Sequence, residues 1–419
     1  MIKLKTYLYL LLLSLIFLIS CSEEKVNIKN SGKTNFYEHI TRFKNQYFNS
    51  EILDIKDNAG YIFPVVFLDI DEYILCSKDN KIIYIKGRRL NKELQLNEDE
   101  ILSNKPIIYI NNINIDNKSK NSHNILLSFI DGTFKSYNLN FKLLWKSKIN
   151  LSKFALINEP LILNTKNPQI IISNTDGLIQ SYNFKGDLNW TKQFNSNIYK
   201  TLITDNNSNL YVVQAKKSNL LKDTIFVLNK NGEFVRNIPV ENGGIVKYPV
   251  ISNNRIYFMT NINNENDELS NLYCFDLNFK LIFKKKFNLM LKHLSINSQS
   301  QQLFVVTYKS GLSNISNGVF CFDNNGDENW HLYFDYSIPY PVLVSKNEIC
   351  FTVSNQNTVG IFYMDIQKGI LTNVISAGKL PDFNLEPSVN YDGSLMFTCT
   401  ESNSLIKIDE TPLDKMLPY

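Results

Sequence analysis

Asp131-Gly132-Thr133-Phe134-Lys135-Ser136-Tyr137-Asn138 leads to an indole at Trp145. The pattern returns as Asp176-Gly177-Leu178-Ile179-Gln180-Ser181-Tyr182-Asn183, which leads to Trp190. An apolar-rich run follows each, at 146–149 and 191–194. Two further copies keep the essential step: Leu272-Tyr273-Cys274-Phe275-Asp276 with Phe283, and Val319-Phe320-Cys321-Phe322-Asp323 with Trp330. In all four an aromatic residue (Tyr137, Tyr182, Phe275 or Phe322) precedes Asn or Asp, and a large ring follows seven positions after it.

Weaker copies end at Lys86, Asn229, Asp365 and Asp409, so the markers stand at 86, 138, 183, 229, 276, 323, 365 and 409. Their spacings are 52, 45, 46, 47, 47, 42 and 44. A period in the mid-forties is the signature of propeller blades, in which one unit cannot bury its faces without its neighbours. Each unit reads as four strands. The fifth runs through Tyr248–Ser252, Arg255–Thr260, Leu272–Phe275 and Leu281–Phe287. First and second strands are nearly continuous apolar runs, which predicts burial between blades. Third and fourth strands alternate more. Asp-Gly, Asn-Gly and Lys-Gly pairs fall between strands, where left-handed backbone is needed. Pro64, Pro106, Pro160, Pro249, Pro341 and Pro387 fall at or near first-strand starts, where a missing N–H costs no ladder bond. The expected fold is all-β: an eight-bladed propeller of four-stranded antiparallel blades, with seven blades as the alternative count. The last unit, 388–409, offers only three clear strands. Its fourth is expected from 47–55 or from 413–419, because an open ring leaves exposed edges. A short helix is expected only around 36–43.

The order of small residue, aromatic residue, Asp or Asn, turn glycine and Trp resembles the PQQ-like (quinoprotein-type) β-propeller repeat. The resemblance covers about 61–409. In that family the Trp packs between blades, so the resemblance implies a structural role for Trp145, Trp190 and Trp330.

The N-terminus reads as an address. Lys3 and Lys5 precede an apolar stretch from Tyr7 to Ile19, too short to span a bilayer comfortably and matched to a signal-peptide core. It ends Leu18-Ile19-Ser20-Cys21, which resembles the bacterial lipobox. That resemblance implies lipidation of the Cys21 thiol (palmitate among the acyl chains), and cleavage that leaves Cys21 first. Ser22 is not the Asp that retains lipoproteins in the inner membrane, so the outer membrane is expected, on its periplasmic face or at the cell surface. Glu23 and Glu24 resemble a surface-export tag or are a plain polar tether. The expected organisation is a signal peptide over 1–20, a lipidated tether over 21–35 and one propeller domain over 36–419. A lipobox followed by such a propeller resembles the propeller subunit of the outer-membrane β-barrel assembly machinery, in architecture and repeat type.

Composition narrows the function. The 419 residues carry a formal charge of +4, and loss of residues 1–20, with two lysines and no acid, leaves +2. That argues against a nucleic-acid binder. Five cysteines follow Cys21, at 76, 274, 321, 350 and 399, each in an apolar β-like run; they read as buried thiols that behave as small hydrophobes. No Cys-Cys pair, Cys-x-x-Cys-His, Gly-x-Ser-x-Gly, His-Glu-x-x-His or P-loop is present. Asp323-Asn324-Asn325-Gly326-Asp327-Glu328 imitates a calcium loop but stands where the other repeats turn. Lys284-Lys285-Lys286 and the Asp69, Asp71, Glu72 cluster read as solvated surface. No catalytic residue, metal or cofactor is therefore expected. The reading is a non-enzymatic, lipid-anchored interaction scaffold whose partners are the membrane and an envelope protein, with no nucleic acid. The alternatives are a PQQ-dependent sugar or alcohol oxidoreductase and a surface glycan- or nutrient-binding lipoprotein.

Overall fold

The computed structural model describes residues 33–34, 49–54 and 60–409, except for 88, 116–117, 154, 196, 199–201, 215–222, 241–243, 246–248, 265–266, 298–299, 309–316, 335–340, 344–346, 356–357, 377–387, 390–393 and 399–403. Among the described residues the strands form eight sheets, here blades I to VIII, antiparallel within the spans 66–95, 107–148, 161–193, 203–239, 244–287, 290–334, 341–376 and 388–409. The four strands of blade III, Leu161–Leu163, Gln169–Ser173, Leu178–Asn183 and Leu188–Gln193, show the common order, each paired with the next in the chain. Eight such sheets are consistent with the expected count of eight blades. Cys21, 36–43, Pro387 and Cys399 lie outside the described residues.

Second strands are the best buried, as in Gln169–Ser173, and third strands nearly so. First strands depart from the expectation of full burial: those of blades III, IV and V are largely half-exposed. The reason is geometric. A first strand has a neighbouring strand on one side only, and its other edge faces the axis of the ring. Fourth strands face outward and are mostly exposed in blades I, II and III.

The apolar cores lie between blades rather than within them. Ile74, Ile82 and Tyr84 of blade I pack with Ile125, Leu127 and Phe129 of blade II. Phe134 of blade II packs with Ile170, Ile172 and Tyr182 of blade III. Each seam thus removes two β-faces from water at about 25 cal/mol per Å² of apolar surface.

Closure uses the N-terminal segment. Asn49–Asp54 runs antiparallel to Ser404–Asp409, with Ser50 opposite Ile408 and Asp54 opposite Ser404. This is the first of the two closures expected from the sequence. Blade VIII then meets blade I through Met396 and Leu405 against Tyr61, Leu75 and Ile83. The Ser388 hydroxyl donates to the Val65 carbonyl at 2.6 Å across the same seam. Lys33 and Thr34, inside the stretch expected as tether, pair in parallel with Tyr333 and Phe334 on the outer strand of blade VI.

Candidate functional site

The repeat marker builds the turn between third and fourth strands. The Asn183 Oδ1 accepts from the Lys185 and Asp187 amides, both at 2.9 Å. The side chains of Asn138, Asn229, Asp276 and Asp323 do the same for the second and fourth residues after them. An Asx turn of this kind satisfies two backbone donors without a ligand. Asp323 to Glu328 is therefore a hairpin turn, not a calcium loop.

One bulge follows each of these turns. Tyr182 opposes Leu188 while Ser181 opposes Trp190, so Asn189 is the extra residue. Blades I, II, IV, V, VI and VII shift register at the matching place. The bulge accounts for the seven-residue spacing and turns the next large side chain toward the neighbouring blade.

At that neighbour a glycine waits. Trp145 lies on Gly186, Trp190 on Gly232, Phe283 on Gly326 and Trp330 on Gly369; a Cβ on any of these glycines would stand 2.5 to 2.8 Å from the ring. The glycines have φ of +90°, +78°, +85° and +61°. The indole N–H groups of Trp145, Trp190 and Trp330 donate to the carbonyls of Phe184, Lys230 and Ile366, at 3.0, 2.9 and 2.8 Å. Each Trp of the repeat thus joins its own blade to the next. Tyr137 and Tyr182 are buried in the seams of blades I–II and II–III, and Phe322 in that of V–VI, while Phe275 lies half-buried in that of IV–V.

Two seams invert the pattern. Where the fourth strand carries Lys92 or Arg236 instead of a ring, the next turn carries a phenylalanine instead of glycine, Phe141 or Phe279, at φ +57° and +65°. The Arg236 guanidinium stands 5.4 Å from the centre of Phe279, a cation–π contact. Lys92 donates to the Asn140 side chain at 2.7 Å, beside Phe141. A ring fills each of these six seams, supplied from one side or the other.

Cys76, Cys274, Cys321 and Cys350 are buried and free of disulfides. Burial pushes the Cys274 thiol up to about 11 and the Cys321 thiol up to about 12. Lys86, then the Tyr84 hydroxyl, hold the Glu72 carboxyl below its ordinary range. Lys284 lies over the Tyr273 ring at 5.0 Å. Among the described residues no group of three His, Cys, Asp or Glu side chains is placed to hold a metal.

Two surface features remain. On the face formed by the second-to-third-strand turns, Ile101, Ile130 and Leu156 stand exposed on blades II and III. Ile101 and Ile130 are bonded to each other through the backbone, and Leu156 is bonded likewise to Thr175 of its own blade. On the opposite face a cavity of about 400 Å³ opens between blades III and IV, beside Trp190.

No family model and no curated protein matches the chain. Solved structures do. BamB from Moraxella catarrhalis is 14% identical, with a TM-score of 0.56 over 86% of this chain and 99% of that one. The WD40 domain of SCAP from fission yeast is 10% identical, with a TM-score of 0.58 over 86% of this chain and 98% of that one. Sqt1 from Saccharomyces cerevisiae is 11% identical, with a TM-score of 0.58 over 85% of this chain and 98% of that one. At such identities the likeness is one of fold, and the fold is the β-propeller.

Proposed function

We propose that this protein is a lipid-anchored, non-enzymatic propeller that holds a protein partner in the cell envelope, with outer-membrane protein assembly as the process it serves. Cys21 carries the acyl chains, and the propeller stands on the periplasmic face of the outer membrane or at the cell surface. The observation that carries the reading is the apolar group Ile101, Ile130 and Leu156 on one face of two adjacent blades. Exposed aliphatic residues grouped on a rigid face are a usual mark of a protein-docking surface. The lipobox and the likeness in fold to BamB support the envelope setting. The test is site-specific photocrosslinking from Ile130 and Leu156 in intact envelopes, with Lys148 on an outer strand as control. A discrete envelope protein joined only from the first two positions supports the reading. Equal yields from all three positions, or none from any, refute it.

A further inference from the structure

The cavity between blades III and IV is lined by Asn167, Gln169, Asn183, Asn189, Trp190 and Asn231. It lies at the end of the short first strand of blade III, Leu161–Leu163, whereas the first two strands of blade II are long there, Ile107–Ile115 with Lys118–Ser128. The lining has three telling properties. No side chain that lines it is charged. It is rich in carboxamides, which both donate and accept. It includes one half-buried indole, already fixed by Gly232 beneath it and by the Lys230 carbonyl at its N–H.

The amides are oriented in advance. The Asn189 Nδ2 donates to the Ser181 Oγ at 3.2 Å, and that hydroxyl donates to the Gln169 Oε1 at 2.6 Å. This chain fixes which end of each amide is spent. The Gln169 amide nitrogen and the Asn189 Oδ1 are left without a partner among the described residues. Gln169 is only 8% exposed. The open Gln169 donor stands at the cavity wall within reach of solvent, where an acceptor on a ligand can take the place of water. Gln169 and Asn189 thus offer one donor and one acceptor, a set that a hydroxyl satisfies because it accepts and donates at one atom. Asn189 takes part because it is the extra residue of the bulge, which aims it out of the strand.

We propose that this cavity binds a small neutral saccharide. Gln169 donates to one hydroxyl, Asn189 accepts from the same or the next, and Trp190 gives an apolar wall to the sugar's C–H face. The volume suits one or two sugar rings. A phosphate or carboxylate finds no cation in the lining, and an aliphatic ligand would leave the amides unpaired. The site is independent of the docking face proposed above, which lies on the opposite side of the ring.

The test uses the three Trp indole N–H signals of the full chain in a sugar-free detergent, with Trp190 assigned by its loss in Trp190→Phe. Glucose, N-acetylglucosamine and maltose are titrated, with glucuronate and glucose 6-phosphate as charged controls. A saturable shift of the Trp190 signal with at least one neutral sugar is expected. Gln169→Glu, which keeps the acceptor for Ser181 and removes the open donor, is expected to weaken it about tenfold or more. Asn189→Ala changes an exposed residue, leaves the fold intact, and is expected to weaken it as well. The proposal is overturned if no neutral sugar moves the signal at tens of millimolar. It is equally overturned if the charged sugars bind as well as the neutral ones, or if Asn189→Ala binds like the parent chain.

Discussion

Exchanging the two sides of a seam tests whether the ring itself is the unit of blade-to-blade cohesion. Between blades II and III the ring is Trp145 and the turn residue is Gly186. Between IV and V the positions hold Arg236 and Phe279. Gly186→Phe alone places a side chain where a Cβ already stands 2.7 Å from the indole, at φ +90°. Left-handed backbone costs a non-glycine residue about 1–2 kcal/mol and overpacking about 1–3 kcal/mol more. Trp145→Arg alone empties the seam and should cost about 3–5 kcal/mol. Independent effects would then sum to roughly 5–10 kcal/mol in the double variant. The double variant instead rebuilds the Arg236–Phe279 arrangement and should lose less than about 4 kcal/mol. With about 2.1 cal/mol/K of unfolding entropy per residue, some 350 folded residues lose about 1.4 °C of Tm per kcal/mol, so denaturant titration resolves the cycle better than melting. An additive double variant would refute the claim that one ring per seam is what the repeat supplies.

Four further outcomes are expected. Cys21→Ala should move the protein from the membrane fraction to the soluble fraction; a mutant that still sediments with membranes would show that something other than the lipid holds it. Trp330→Ala, at a residue 2% exposed, should cost about 3–5 kcal/mol in denaturant titration, and an unchanged midpoint would deny its part in the seam. A chain beginning at residue 57 lacks the strand paired with Ser404–Asp409 and should aggregate or melt without cooperativity, whereas one beginning at residue 48 should not; size-exclusion chromatography and calorimetry separate them. The Cys274 and Cys321 thiols have folded pKa values raised from the ordinary 9.0 to about 11 and about 12 by burial. Their stabilising effect is full below pH 9 and fades as pH rises toward the folded values, because the unfolded chain ionises first. Tm should therefore fall from pH 9 upward, less steeply in a Cys274→Ala, Cys321→Ala chain, and peptide mapping should find both thiols unalkylated at pH 8.

Much of this architecture was legible because it repeats. Tyr182-Asn183, the turn glycine and Trp190 carry the blade period, and one apolar segment near Ile52 answered the lack of a fourth strand at the end. The bulge was not legible, since an extra residue such as Asn189 changes no local preference. Nor was the exchange of Trp145 and Gly186 for Arg236 and Phe279, because the partners lie in different repeats and meet only across a seam; aligning the turns with the fourth strands beneath them would have exposed it. First strands looked like buried strands because apolar runs do not reveal which edge faces the axis. The cavity sits beside the short first strand of blade III, and Ser181 orients two of its amides; neither feature has a motif.

The pairing of Asn49–Asp54 with Ser404–Asp409 also governs how the ring can form in time. The contact spans some 350 residues, so its loop-closure entropy is among the largest in the chain and must be met before the contact returns any stability. As the chain emerges from a ribosome or a membrane pore, blades I to VII can pair their own hairpins. Blade VIII cannot be completed, nor its seam to blade I sealed, until Asp409 has appeared. Until then the partial ring offers bare strand edges at both ends, the state most exposed to mispairing with another copy. Residues 49–54 thus wait through nearly the whole of synthesis, and shielding that one short strand is the step at which a folding helper would act on this chain.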